Sequence, residues 1–141
     1  AVRDAMWKDD RASQSLGIEV LAVGPGSATL RMVVRADMLN SHRICHGGLM
    51  TTLADSAFAF ACNAYNESTV AAGFDVNIIA SARLGDVLTA TATELARTRR
   101  TGIYDIELRD QNGRRLLAFR GRSMTLLGTH IVPTLRSTRG D

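Results

Sequence analysis

The chain has 141 residues, of which 45% are hydrophobic and 22% charged, enough for the core of one ordinary domain and too apolar for wholesale disorder. A formal charge of +3, scattered arginines and only 5% aromatic residues exclude a basic stripe or a stacking platform for nucleic acid. The two cysteines, Cys45 and Cys62, cannot build a disulfide scaffold and read as reduced thiols.

In chain order, residues 1–15 read as an N-terminal extension with a short amphipathic helix around Ala5, Met6 and Trp7. Arg3, Asp4, Lys8, Asp9 and Asp10 stand where a signal peptide would need an apolar run, so the expected location is the cytoplasm. Ile18 to Val23 predicts a strand closed by the Gly24-Pro25-Gly26 turn, and Ala28 to Arg35 alternates cleanly, which together predict a hairpin. Ala36 to Cys45 reads as a loop. From Gly47 to Asn66 the apolar residues Leu49, Leu53, Ala57, Phe60 and Ala64 recur at helical spacing, and the opposite side is small. This predicts one long helix buried on most sides; its Asp and small polar residues argue against a membrane span.

After Gly73 the period returns to two, with Phe74, Val76 and Ile78 opposing Asp75 and Asn77. The Gly85-Asp86 turn leads into Val87 to Arg97, then a strand through Tyr104, Ile106 and Leu108. Asp110-Gln111-Asn112-Gly113 is a hairpin signal before a sixth strand over Arg115 to Leu127, and residues 129–141 read as a flexible tail. No repeat or linker divides residues 1–141, so a single domain is expected. The fold class is α+β: an antiparallel sheet of about six strands wrapped around one long central helix, the outline of a hot dog fold. Uncovered sheet edges and an apolar helix predict a homodimer or a dimer of dimers.

Asp55 is the informative residue. Between Arg43 and Glu67 it is the only carboxylate, on a helix otherwise apolar or small. A carboxylate there is costly unless paired or functional, so it reads either as a catalytic acid or base or as a structural hydrogen-bonder at an interface. His46-Gly47-Gly48 stands at the predicted helix start. Free N–H groups there, with no Cβ to block approach, can receive a developing oxyanion; the glycines can equally serve a tight turn and close packing. His46 is a candidate base or a residue that holds the loop. His42, Cys45 and His46 resemble a fragment of a metal site, but no second cluster follows at ligand spacing, and no metal or cofactor is expected. Cys45 beside His46 is a weak thiol-catalysis signal, and Cys62 reads as core.

Asn40, His46-Gly47-Gly48-Leu49 and Leu53-Ala54-Asp55-Ser56-Ala57-Phe58-Ala59 resemble the hot dog acyl-CoA thioesterases of the phenylacetate-degradation type, the PaaI family. The likeness continues through Ala61-Cys62-Asn63, Gly85 to Ala90, Arg100 to Asp105 and Phe119 to Ser123. The resemblance implies an acyl-CoA thioesterase whose catalytic carboxylate is Asp55 and whose oxyanion donor is the Gly47 amide. It implies that Asn40 and His46 shape the site, and that Asp55 faces the glycine loop of a partner subunit. Ile78 to Arg83 departs from the apolar-Arg-Pro segment common in such proteins.

Thioester hydrolysis needs a held oxyanion and a carboxylate that activates water or attacks directly. Gly48 and Ser56 are candidate substrate contacts, and Arg83, Arg100, Arg120 and Arg122 are candidate contacts to coenzyme A phosphates. An aryl-acetyl or similar acyl group is the expected substrate. The alternatives are a noncatalytic acyl-CoA-binding module and a hydroxyacyl-thioester dehydratase; the latter would want a histidine on the helix beside Asp55.

Overall fold

The computed structural model describes residues 1–135. Helices α1 (Val2–Asp9) and α2 (Arg11–Ser15) precede the hairpin of β1 (Glu19–Gly24) and β2 (Ser27–Val33). A short 3-10 turn (Ala36–Met38) leads to α3 (Gly47–Asn63), followed by β3 (Thr69–Ile78), β4 (Val87–Arg97), β5 (Thr101–Arg109) and β6 (Arg115–Thr125). The N-terminal helix expected from sequence is thus two. Asp10 breaks the run because it leaves helical geometry and caps α2, accepting from the Ser13 N–H at 3.1 Å and the Ser13 hydroxyl at 2.7 Å.

The strands form one antiparallel sheet in the order β1-β2-β4-β5-β6-β3. Alternation decides which side chains meet α3: Leu30 and Met32 from β2, Leu88 and Ala90 from β4, and Tyr104, Ile106 and Leu108 from β5 are buried under it. From α3, Leu53, Ala57, Phe58, Phe60 and Ala61 complete the core. Phe58 packs between Tyr104 and Phe119, with ring centroids 5.6 and 5.8 Å away. Gly121 makes room for it, since a Cβ there would stand 2.8 Å from the Phe58 ring. Emptying that site by Phe58→Ala costs about 3–5 kcal/mol.

Three sequence expectations change. The helix stops at Asn63 rather than running to Asn66, because the Asn63 amide takes both backbone groups of Thr69, donating to its carbonyl at 3.0 Å and accepting from its N–H at 2.8 Å. That bond reverses the chain into β3, which pairs with β6 from Thr69 onward. Second, α3 is not buried all round: Gly48, Thr52, Asp55, Ser56 and Ala59, spaced three and four apart, form a partly exposed stripe on the side away from the sheet. Third, the C-terminal segment is tied down as far as Leu135. Asn66 donates to the carbonyls of Val132 and Leu135 (3.1 and 3.0 Å) and accepts from the Val132 N–H at 2.8 Å. The rest of the expected tail lies outside the described residues.

β3 closes one side of the sheet, and its outer edge pairs with no other strand among the described residues. Of the alternating set Phe74, Val76 and Ile78, only Val76 is packed against the core. Phe74 and Ile78 are 44% and 56% exposed, as are Val70 and Ile79 at 48% and 54%, so this strand carries uncovered apolar side chains in the single chain. No helix among the described residues is long and apolar enough to cross a membrane.

Candidate active site

The loop before α3 is built by Asn40. Its side-chain oxygen accepts from the N–H groups of His42 (2.9 Å) and Ile44 (3.4 Å), and its backbone N–H donates to the Ile44 carbonyl at 2.9 Å. The resulting tight loop places Arg43 in the left-handed region at φ 61°. Two further bonds anchor its exit: Cys45 N–H donates to the Ala82 carbonyl at 2.8 Å, and His46 N–H to the Met38 carbonyl at 2.9 Å. Asn40, His46, Gly47, Gly48 and the Ala82-Arg83 segment are therefore brought to one corner of the molecule.

His46 is the N-cap of α3, and its carbonyl accepts from Leu49 and Met50. The Gly47 and Gly48 N–H groups have no acceptor among the described residues, as befits the first turn of a helix. Neither glycine has positive φ. A Cβ on Gly47 would meet only the Ile78 terminal methyl, at 2.6 Å and on an exposed side chain, and a Cβ on Gly48 would stand 4.0 Å from its nearest neighbour, the His46 ring. Turn geometry and packing within the chain therefore do not demand glycine at either position. Two bare amides at the positive end of a seventeen-residue helix remain, open to an approaching oxygen.

Asp55 stands two turns along α3 on the partly exposed stripe. Among the described residues it has no hydrogen-bond or ion-pair partner. Burial, and secondarily the negative charge of Asp10, hold its carboxyl above the usual carboxylate range. Eight residues of helix separate Asp55 from Gly47, about 12 Å along the axis, too far for one chain's pair to grip one carbonyl. Ser56, beside it, shares a 2.9 Å hydrogen bond with Ser13 of α2. Asp10 and Ser13 carried a legible signal, the Asp-x-x-Ser spacing of an N-cap, but nothing in the spacing said which helix they would meet.

The other predicted arginines do not converge on this corner. Arg120 and Arg122 alternate with buried Phe119, Gly121 and Ser123 and so stand on the sheet face away from α3. The Arg120 guanidinium is engaged there by Asp105, with bonds of 2.6 and 2.9 Å. Arg100 lies exposed in the β4–β5 turn. Of the four, only Arg83 neighbours the glycine turn. A groove of about 590 Å³ opens on the outer sheet face among Asp75, Asn77, Thr91, Asp105, Glu107 and Arg120, and it contains neither Asp55 nor the glycine turn. Cys45 is buried, which pushes its thiol up, away from the thiolate a nucleophile requires. Cys62 is pushed up to about 12 by the same cause. His42, Cys45 and His46 do not gather: no three potential metal ligands cluster among the described residues.

Comparison with known proteins shows what the chain is similar to. The family model described as "Thioesterase superfamily" matches residues 42–117, which spans the loop, α3 and β3 to β6 as far as Leu117. The acyl-coenzyme A thioesterase PaaI of Escherichia coli is 40% identical over 125 residues, covering 89% of each chain. The solved E. coli PaaI structure superposes with a TM-score of 0.88 at 39% identity, covering 90% of this chain and 92% of that one. A mutant of the phenylacetic acid degradation protein PaaI of Thermus thermophilus gives 0.80 at 35% identity, covering 83% of this chain and all of that one.

Proposed function

The chain belongs to the thioesterase superfamily, and on that premise we propose that it hydrolyses acyl-coenzyme A thioesters, aryl-acetyl groups among them, at a site shared by two copies of the chain. One observation carries the reading: among the described residues, α3 bears an unpartnered, half-buried carboxylate and begins with two unpaired amides at glycines that their surroundings do not require.

Asp55 of one copy takes a proton from water as the water oxygen bonds to the thioester carbonyl carbon. The Gly47 N–H of the other copy, with the helix dipole behind it, holds the tetrahedral oxyanion. The C–S bond then breaks, the acid departs, and the coenzyme A sulfur leaves as thiolate or takes up the proton. Asn40 keeps the loop in shape, His46 and Gly48 line the approach, and Ser56 flanks the carboxylate. Arg83 is the phosphate contact nearest the turn. The shared site is supported by the 12 Å separation within one chain, by the small-residue stripe on α3, and by the open apolar edge of β3, whose Ile78 touches Gly47.

Release of thiol from a panel of aryl-acetyl and straight-chain acyl-CoAs tests the activity; absence of hydrolysis across the panel overturns it. Sedimentation at micromolar concentration tests the shared site, since a monomer with full activity excludes it. A single turnover in heavy-oxygen water separates the carboxylate's two possible roles. Base catalysis puts label only in the acid product, whereas label retained in Asp55 would show direct attack.

A further inference from the structure

The N-terminal segment is joined to the site by hydrogen bonds as well as by packing. Met6, Trp7 and Leu16 pack on the core, while Ser13, only 1% exposed, bridges two partners. Its hydroxyl is 2.7 Å from the Asp10 carboxylate and 2.9 Å from the Ser56 hydroxyl. Ser56 directly follows Asp55, so the chain Asp10–Ser13–Ser56 ends one residue from the carboxylate proposed to activate water.

We propose that Asp10 is a positioning residue for Asp55: through Ser13 and Ser56 it clamps α2 onto α3, and it fixes a second negative charge beside the reacting carboxylate. The inference rests on the reading of Asp55 as the base. Ser13 donates its hydroxyl proton to Asp10, which leaves the Ser13 oxygen to accept from Ser56. Both serine protons are then committed to the Asp10–Ser13–Ser56 chain, and neither is given to the reacting carboxylate. Asp10 acts on it in the same direction as burial, making it a stronger base than an exposed aspartate. Of the other titratable groups, Cys62 on the same helix lies within electrostatic reach of Asp55, and Glu94 of β4 and Tyr104 of β5 bond to each other nearer the helix's C-terminal end.

Asp10→Asn tests the charge while keeping a capping side chain. The acid limb of the kcat/KM profile should move to lower pH, so that activity at the acidic foot, relative to the plateau, rises about twofold or more. Carbon-13 NMR of labelled aspartate side chains should show the Asp55 resonance titrating at lower pH in the same variant. Ser13→Ala should loosen the clamp, raising protease sensitivity of residues 1–16, with rescue by Ser13→Thr. An Asp10→Asn variant that is folded but has an unmoved acid limb and an unmoved Asp55 titration overturns the proposal. If Asp55→Asn retains the wild-type rate, the parent reading fails instead, whatever Asp10→Asn does.

Discussion

Two carboxylates sit against α3 in opposite circumstances. Glu94, on the core-facing side of β4, accepts from the Tyr65 hydroxyl at 2.8 Å and the Tyr104 hydroxyl at 3.1 Å, with the Arg97 guanidinium 3.9 Å away and laid over the Tyr65 ring. Asp55 has no such partner among the described residues, and the charge that acts on it is that of another carboxylate, Asp10. The satisfied carboxylate is a fastener: it joins the helix end, β4 and β5, and its electrons are committed to hydroxyl protons. The unsatisfied one is held at a cost to folding that no partner among the described residues offsets, which is the ground for proposing it as the reacting group. Depth of burial does not separate the two; partner count does.

The largest expected effect comes from Asp55→Asn. Turnover should fall by about 10²–10⁴, the usual contribution of a positioned base, with the fold intact. Stability should move the other way. Because burial and Asp10 raise the folded-state pKa, ionised Asp55 weighs against folding above that pKa and is harmless below the unfolded one. The variant should therefore melt higher than wild type at neutral pH, and the gap should close as pH falls through the carboxylate titration. A variant that melts lower than wild type at neutral pH would place Asp55 in the same class as Glu94.

Next in size is Gly47→Ala, which adds a methyl beside the proposed oxyanion position. Turnover should drop about 10–100-fold, as for a small displacement of a bound carbonyl. Stability should change by less than about 1 kcal/mol because the Ile78 methyl can swing toward solvent. Loss of fold without a selective loss of turnover would make the glycine structural. Arg83→Glu should raise KM for acyl-CoA about three- to tenfold and leave a short thioester lacking the nucleotide unaffected. Equal effects on the two substrates would remove Arg83 from the site.

The smallest effect on turnover belongs to Glu94→Ala. It should lower stability by about 1–3 kcal/mol, since the Tyr104 hydroxyl and the Arg97 charge lose their acceptor, while kcat per folded molecule stays near wild type. A thermal melt alongside the thiol-release assay reads both. A large loss of turnover with unchanged stability would break the contrast between the two carboxylates.

Much of this was legible in the chain itself, because it depends on local periodicity. Alternation over Ala28 to Arg35, the Gly24-Pro25-Gly26, Gly85-Asp86 and Asn112-Gly113 turns, and the helical spacing from Leu49 to Phe60 are all local signals, and each predicted its element. Asp55 was conspicuous for the same reason: one carboxylate in a long apolar helix needs no partner to be noticed. Glu94 carried a signal too, falling in step with Leu88, Ala90 and Ala92, yet its meaning rests on Tyr65, 29 residues away. The tertiary structure alone decided where pairings cross the chain. It left β3 as an open apolar edge, turned Arg120 and Arg122 away from α3, and sent α2 back to lie beside Asp55. Periodicity states which side of an element is apolar, but only the packed fold states what faces it, because contact depends on the path of the whole chain.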